Sequence, residues 1–126
     1  MIAILDDEPQ MRTAFRRLLS CRGFRVEEYS GAQEFLAVWE THRPNCLLLD
    51  LHMPGLNGFD VLETLHASEH PIPVIVITAH DEPGTAERSC ALGASDYLRK
   101  PVERAALLAA IERACPSIFP NHEPNQ

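Results

Sequence analysis

Short apolar runs alternate with amphipathic segments five times along this chain, and this alternation limits the fold more than any other feature. Strands that alternate with helices are typical of an α/β domain with a parallel sheet. The runs that end at Asp50 and Ile77 are apolar without interruption, which predicts central strands covered on both faces. The run that ends at Tyr29 is more polar and is predicted to lie at a sheet edge. The predicted strands are Ile2 to Leu5, Arg25 to Tyr29, Cys46 to Asp50, Val74 to Ile77 and Tyr97 to Arg99.

The segments between these strands carry helix signals. The first helix is predicted between Pro9, which suits a first turn, and Gly23, which suits a helix end. Ser30 and Gln33 predict a capping box at the start of the second helix, which must end before Pro44. The other predicted helices run from Phe59 to a stop before Pro71, from Thr85 to Leu92, and from Glu103 to Ala114.

The fourth predicted helix differs from the others because it is short and has few apolar side chains. Its apolar contacts are expected from Ala86, Cys90 and Ala91. Weak packing lowers the local stability of an element. We therefore predict that this helix can move.

Length, charge and cysteine spacing exclude several classes of protein. With 126 residues and 45% hydrophobic content, we predict one domain over residues 1–115 and a flexible tail or linker stump over residues 116–126. The net charge of -7 argues against direct binding to nucleic acid or an anionic membrane. No apolar run approaches the roughly 20 residues that span a bilayer, so a cytoplasmic protein is expected. The four cysteines form no Cys-x-x-Cys pair and are expected to be reduced thiols in the core; they are Cys21, Cys46, Cys90 and Cys115.

Polar side chains stand at the ends of four predicted strands. Asp6 and Asp7 follow the first, Asp50 ends the third, Thr78 follows the fourth and Lys100 follows the fifth. Ligands of doubly wound sheets bind beyond the carboxyl ends of the strands, so we expect these residues to share one edge. Clustered carboxylates repel one another unless a cation is present, and oxygen ligands suit Mg²⁺. With Mg²⁺ and Lys100 neutralising its oxygens, a phosphoryl group could transfer to Asp50 while Thr78 donates a hydrogen bond to it.

Together these residues resemble the response-regulator receiver domain over residues 2 to about 114. The matching motifs are Asp6-Asp7, Asp50-x-x-Met53-Pro54-Gly55, Thr78-Ala79 and Lys100-Pro101. The resemblance implies a flavodoxin-like, doubly wound sheet in the strand order 2-1-3-4-5 with five helices. It further implies that a histidine kinase or a histidine phosphotransfer protein phosphorylates Asp50 in two-component signalling. Such a domain is a phosphoacceptor that catalyses its own Mg²⁺-dependent phosphotransfer and dephosphorylation, rather than an enzyme in the usual sense.

The resemblance also implies a ligand set for the metal. Mg²⁺ would be held by Asp7, by Asp50 and by the main-chain carbonyl of His52. Asp6 would act through water.

The remaining implied roles concern the phosphoryl group and the response to it. Thr78 and Tyr97 would be the switch pair, and Lys100, followed by a cis bond to Pro101, would contact the phosphoryl group. His52 and His80 occupy the two positions that modulate phosphoryl lifetime in the family. The domain would signal through a protein-interaction surface formed by helix four, strand five and helix five. This surface could also form a homodimer.

Two other functions remain open. One is a Mg²⁺-dependent phosphatase or phosphotransferase that uses Asp50 as a nucleophile on small substrates. Such enzymes usually need a second acidic residue two positions on, where this chain has His52, and a cap segment for which there is no room. The other is a receiver-like interaction module that no longer takes phosphate, which the intact set of site residues disfavours. Val102 stands where many relatives that end in DNA-binding domains carry Phe, which weakens an assignment to those subfamilies.

Two groups of polar residues outside the strand ends allow more than one interpretation. His66 and His70 are four residues apart, as zinc ligands on a helix can be, but no third ligand is in view and solvent-facing histidines are favoured. Arg12, Arg16 and Arg17 lie on the polar side of the first helix. They are either a kinase-docking face or a solvated face.

Overall fold

The computed structural model describes residues 1–53 and 57–118. Within these ranges, five parallel strands form one sheet in the order β2-β1-β3-β4-β5. The strands are β1 (Ile2–Leu5), β2 (Val26–Tyr29), β3 (Cys46–Asp50), β4 (Val74–Thr78) and β5 (Asp96–Arg99). The helices are α1 (Pro9–Cys21), α2 (Ala32–His42), α3 (Gly58–His66), α4 (Thr85–Ala91) and α5 (Arg104–Ala114). The predicted flavodoxin-like fold with five helices is therefore confirmed.

Two hydrophobic cores lie on opposite faces of this sheet. Alternate residues of β1 enter different cores because successive side chains of a strand point to opposite faces. Ile4 packs in the core that contains Phe15 of α1, and Leu5 packs in the core that contains Phe35 of α2. The central strands β1, β3 and β4 are buried at every residue, whereas β2 is only partly buried at the sheet edge. Both observations match the predicted division into central and edge strands.

The start of α2 differs from the prediction. Its N-cap is Gly31, which has no side chain to cap the helix, so the predicted Ser30 and Gln33 capping box is wrong. The Ser30 hydroxyl instead donates a hydrogen bond to Glu34 Oε1 over 3.1 Å. Since the helix begins one residue later than predicted, the partner of Ser30 lies four positions along the chain rather than three.

The cysteines divide between the interior and the surface. Cys46 and Cys115 are buried, whereas Cys21 and Cys90 are exposed, and all four are free thiols. The prediction of core thiols is therefore wrong for Cys21 and Cys90. Both lie on the solvent side of their helices, since α1 buries Phe15 and α4 buries a different residue.

Helix α4 has seven residues and buries only Ser89. The Ser89 hydroxyl donates a hydrogen bond to the Thr85 carbonyl oxygen over 2.9 Å, which satisfies its polar group inside the protein. The predicted apolar contacts through Cys90 and Ala91 are wrong, because both side chains are exposed. The prediction that α4 is weakly packed agrees with this arrangement, while its movement stays a prediction.

The end of the described chain is a short 3₁₀ turn, Pro116–Ile118, whose Ile118 packs against the core under α1 and α5. The Pro54-Gly55 motif and residues 119–126 lie outside the described residues, so the predicted tail and domain boundary stay predictions. His66 and His70 are both exposed, as the favoured interpretation predicts, but they do not share a helical face because α3 ends at His66. In residues 1–53 and 57–118, no helix has both the length and the apolar character needed to cross a bilayer.

Candidate functional site

Three carboxylates meet at the carboxyl edge of the sheet. β1 and β3 are neighbours in register, so Asp6, just beyond β1, comes close to Asp50 at the end of β3. Asp6, Asp7 and Asp50 each offer an oxygen atom, and these atoms all lie within 4.8 Å of one another. Asp6 is 2% exposed and Asp50 is 4% exposed. The predicted meeting of these three side chains therefore occurs.

Lys100 reaches this cluster from the end of β5. Its Nζ lies 3.0 Å from Asp6 Oδ2 and 3.8 Å from Asp50 Oδ2. A third carboxylate, Glu8, accepts a hydrogen bond from the same Nζ over 2.9 Å. Burial opposes the charge of Lys100, but the hydrogen bonds to Glu8 and Asp6 outweigh it and raise the pKa of the ammonium group. Lys100 is therefore charged and places a cation beside the acidic cluster.

The Asp50 carboxyl is the group whose ionisation the site opposes. Burial, and then the neighbouring charge of Asp6, raise its pKa from 3.8 to about 7. The main-chain N–H of His52, which donates to Asp50 Oδ1 over 3.2 Å, and the charge of Lys100 lower it by less. A cation placed among the three carboxylates would offset this repulsion and favour the ionised form.

The cluster suits a hard divalent cation such as Mg²⁺, which takes oxygen ligands and keeps several waters. Asp6, Asp7 and Asp50 supply only carboxylate oxygens, and no thiol or imidazole belongs to the cluster that the described residues form. These donors fit Mg²⁺ better than a soft transition metal. The role of the His52 carbonyl as a ligand stays a prediction.

Thr78 is the fully buried last residue of β4. The strand register pairs Asp50 with Ile77, so Thr78 stands one residue beyond the level of Asp50 on the adjacent strand. Its Oγ1 accepts a hydrogen bond from the main-chain N–H of His80 over 3.0 Å. The hydroxyl is therefore attached to the segment that leads to α4.

Tyr97 is bonded to that same segment. Its hydroxyl donates a hydrogen bond to Asp81 Oδ1 over 2.9 Å, and Arg99 donates to the other oxygen of Asp81 over 3.1 Å. Partial burial and the Asp81 carboxylate raise the pKa of Tyr97 to about 12, so the hydroxyl keeps its proton. Both members of the predicted switch pair contact the connection between β4 and α4, Thr78 through His80 and Tyr97 through Asp81.

His52 and His80 lie side by side at the mouth of the site. Their ring centroids are 4.3 Å apart with the planes inclined at 56°. Both residues are exposed. The sequence placed these residues two positions after Asp50 and Thr78, but gave no reason to expect the two rings in contact.

Two further residues shape the site that sequence reasoning did not include. Glu8 directly follows the Asp6-Asp7 pair, and this adjacency was the available signal. Gly58, at the start of α3, packs on the backbone at the end of β3: a Cβ there would lie 2.8 Å from the Asp50 carbonyl oxygen and 2.5 Å from Leu51 Cα. No local sequence pattern predicts that Gly58 lies so close to the backbone of β3.

A reciprocal capping box holds the start of α3 beside Gly58. The Asn57 side chain accepts a hydrogen bond from the Asp60 main-chain N–H, and the Asp60 carboxylate accepts one from the Asn57 N–H, each over 3.1 Å. This arrangement satisfies donors that a helix start otherwise leaves free. The helix start is joined to the end of β3 by the Gly58 main-chain N–H, which donates to the Leu51 carbonyl oxygen over 3.0 Å.

Comparison with known proteins agrees with the geometry. The model of the response regulator receiver domain family matches residues 2–112. The chain is 36% identical over 113 residues to the transcriptional regulatory protein FixJ of Bradyrhizobium diazoefficiens, a match that covers 90% of this chain and 55% of that protein. The response regulator StyR is similar in structure, with 38% identity and a TM-score of 0.80, over 91% of this chain and 58% of that one. A receiver domain protein from Clostridium thermocellum has 31% identity and a TM-score of 0.84, over 91% of this chain and 93% of that one.

The chain spans about half the length of the curated FixJ and MprA relatives that it matches, since it covers 55% of FixJ and 54% of the response regulator MprA from Mycobacterium sp. strain KMS. The similarity therefore concerns the receiver part of these longer proteins.

Proposed function

The chain belongs to the response regulator receiver domain family of two-component signalling, and from this premise we propose that it accepts a phosphoryl group on Asp50 and transmits the event through a protein-interaction surface. The observation that carries the proposal is the meeting of Asp6, Asp7 and Asp50 with Lys100 at one sheet edge. Few structural roles would require three mutually repelling carboxylates at a largely buried site, whereas holding a cation beside a phosphoacceptor does.

The proposed reaction is an in-line displacement at phosphorus. A carboxylate oxygen of Asp50 attacks the phosphoryl group of a phosphohistidine donor, the P–N bond breaks, and the leaving imidazole takes a proton. The product is an acyl phosphate. When bound, Mg²⁺ would neutralise charge on the phosphoryl oxygens. Asp7, Asp50 and the main-chain carbonyl of His52 would hold it, and Asp6 would act through water.

Lys100 and Thr78 have proposed roles on the other side of the phosphoryl group. The Lys100 ammonium would contact a phosphoryl oxygen, and the Thr78 hydroxyl would turn from its bond with His80 to donate to another. Because that bond links Thr78 to the segment before α4, breaking it would release this segment. Tyr97, bonded to Asp81 of the same segment, would then change position.

Receiver domains are not enzymes in the usual sense, and the chemistry that this chain performs acts on itself. We propose that it also catalyses hydrolysis of its own acyl phosphate, with water attacking phosphorus. His52 and His80, at the mouth of the site, would influence how water reaches it.

The proposed phosphodonor is a histidine kinase or a histidine phosphotransfer protein. The proposed output surface comprises α4, β5 and α5, which could bind a second copy of the chain or another protein. The candidate docking residues of α1 are Arg12, Arg16 and Arg17. The first two lie within salt-bridge distance of Glu28, at 3.6 and 3.1 Å. A docking face and a solvated face both remain possible for α1, and a cytoplasmic location stays a prediction.

The direct test is phosphorylation without a kinase. Incubation with Mg²⁺ and acetyl phosphate is expected to add one phosphoryl group, seen as a mass increase of the intact protein, because metal and Lys100 lower the barrier for a small donor. Asp50→Asn and chelation of Mg²⁺ should each abolish the increase. Asp96→Asn is the matched control, since it makes the same chemical change at the start of β5, at the opposite end of the strand from Lys100. Equal incorporation into Asp50→Asn would remove Asp50 from the reaction.

A further inference from the structure

We propose that Glu8 is a positioning residue that holds Lys100 away from Asp50 in the unphosphorylated protein and must release it when Asp50 carries a phosphoryl group. The inference rests on the proposed function and adds to it a competition for one ammonium group. Glu8 itself touches no reacting atom and acts through Lys100.

The distances around Lys100 establish which partners it has. Its Nζ lies 2.9 Å from Glu8 Oε1 and 3.0 Å from Asp6 Oδ2, which are hydrogen-bond distances. Asp50 Oδ2 is 3.8 Å away, beyond hydrogen-bond reach. Of the three N–H donors of an ammonium group, two are therefore directed at Glu8 and Asp6. Lys100 attracts the Asp50 carboxylate electrostatically without being bonded to it.

Burial decides which of the two partners can be exchanged. The Asp6 side chain is 3% exposed, so losing Lys100 would leave its charge without a partner inside the protein. Asp6 is also fixed by the main-chain N–H of Glu8, which donates to its Oδ1 over 2.9 Å. The Glu8 side chain is 53% exposed, and water can replace Lys100 there at small cost. Glu8 is therefore the displaceable partner.

This asymmetry makes Glu8 a competitor of the phosphoryl group. Phosphoryl oxygens on Asp50 attract the Lys100 ammonium group. Part of the favourable free energy of this new contact is lost because the ion pair between Lys100 and Glu8 must break. An ion pair with one exposed partner corresponds to an effect of about twofold to fivefold on an equilibrium. Glu8→Gln removes the competing charge while keeping the shape of the side chain. It should increase affinity for a phosphoryl mimic by that factor.

The experiment measures binding of beryllium fluoride, a phosphoryl mimic, by calorimetry at saturating Mg²⁺. Four proteins form a double-mutant cycle: the parent, Glu8→Gln, Lys100→Gln and the combination. The gain from Glu8→Gln should be present with Lys100 and absent without it. Glu103→Gln, which removes an exposed carboxylate at the start of α5, is the control for net charge and should bind like the parent.

Glu8→Asp supplies a second measurement that does not depend on the Lys100 variants. It keeps the charge but shortens the reach by one methylene, so it should also bind beryllium fluoride more tightly. With acetyl phosphate as donor, both Glu8 variants should lower the half-saturating concentration more than they change the maximal rate.

The outcomes separate this inference from the function on which it rests. If the parent binds no beryllium fluoride and takes no phosphate, the proposed function fails. If the parent binds it but Glu8→Gln is no tighter, only the role of Glu8 is wrong. If Glu8→Gln still increases the affinity for beryllium fluoride when Lys100 is replaced by Gln, the increase is a long-range charge effect. The same conclusion follows if Glu8→Asp does not increase the affinity, and either result would overturn the role of Glu8.

Discussion

At the scale of single residues, the Asp50 carboxylate lowers the stability of the folded protein. Asp50 is nearly buried beside Asp6, and its pKa is raised from 3.8 to about 7. An acid whose pKa is raised by folding favours the folded state most when it is protonated. The contribution of Asp50 to the free energy of unfolding of the metal-free protein therefore falls as pH rises from about 4 to about 7, and stays low above that range.

Asp50→Asn should make the metal-free protein more stable at pH 8, by about 1–2 kcal/mol, because a neutral amide replaces a carboxylate that the site repels. At pH 4 the two proteins should be similar, since Asp50 is then protonated. Urea denaturation with a chelator present at both pH values measures the difference. Added Mg²⁺ should stabilise the parent at pH 8 and have little effect on Asp50→Asn. A variant less stable than the parent at pH 8 would contradict this view of the site.

The contact between His52 and His80 leads to a second prediction at this scale. The two ring centroids are 4.3 Å apart. We expect the paired rings to obstruct the in-line approach of water to the phosphoryl group. Replacing both by Ala should shorten the lifetime of phosphorylated Asp50 several-fold, measured as the loss of added mass after the donor is removed. His70→Ala, a change at an exposed histidine away from the strand ends, is the control. Decay of the double variant at the parental rate would mean that neither ring governs hydrolysis.

At the scale of secondary-structure elements, the junction of β3 and α3 determines where Asp50 stands. Gly58 lets the first turn of α3 lie directly on the backbone of Asp50 and Leu51. The capping box of Asn57 and Asp60 satisfies the first donors of the helix, and the Gly58 N–H bonds to the Leu51 carbonyl oxygen. The Asp50 carboxylate therefore stands on a tightly packed strand end. Helix α4, by contrast, is weakly packed and buries only Ser89. A rigid acceptor next to a weakly packed helix is the arrangement that a switch needs.

Gly58→Ala should lower the free energy of unfolding by about 1–3 kcal/mol, because backbone atoms at 2.5 and 2.8 Å from the new Cβ must move. The displaced strand end should also weaken Mg²⁺ binding, measured by calorimetry. Gly31→Ala at the N-cap of α2 is the control for Mg²⁺ binding, since the nearest atom to its Cβ is 3.8 Å away. It should lower the free energy of unfolding by about 0.5–1 kcal/mol, because Ala is a poorer N-cap residue than Gly, and leave Mg²⁺ affinity unchanged. If the two variants have equal stability and equal Mg²⁺ affinity, the tight junction is not required.

At the scale of the whole molecule, the sequence predicted the layers of the fold and the meeting of the site residues, for a simple reason. Parallel strands place their carboxyl ends at one edge, so Asp6, Asp50 and Lys100 converge in any chain with this order of elements. The closeness of Gly58 to β3 and the preference of Lys100 for Glu8 were not predictable. They depend on the path of the connections and on packing between distant segments, which apolar periodicity does not encode.

The proposed output surface mixes charges of both signs, which bears on self-association. Arg99 lies 3.1 Å from Asp81, and Arg104 belongs to α5 of the same surface. Arg88 of α4 instead contacts α3, where its guanidinium lies over the Phe59 ring and 4.0 Å from Glu63. Glu87 of α4 adds another acidic side chain. A surface that carries both signs can pair with itself across a twofold axis, because each charge can meet its opposite on the second copy. Movement of α4 on phosphorylation would change how well these charges align.

Beryllium fluoride with Mg²⁺ should therefore increase the average mass of the protein in solution, measured by light scattering during size-exclusion chromatography. Arg99→Glu should prevent the increase, because it places three acidic side chains together with Asp81 and Glu87 and leaves like charges facing each other in a symmetric pair. Arg17→Glu makes the same charge change on the exposed side of α1 and should leave the increase intact. An unchanged mass for the parent, or equal loss in both variants, would mean that α4, β5 and α5 do not form a homodimer, and that phosphorylation is transmitted to a different protein.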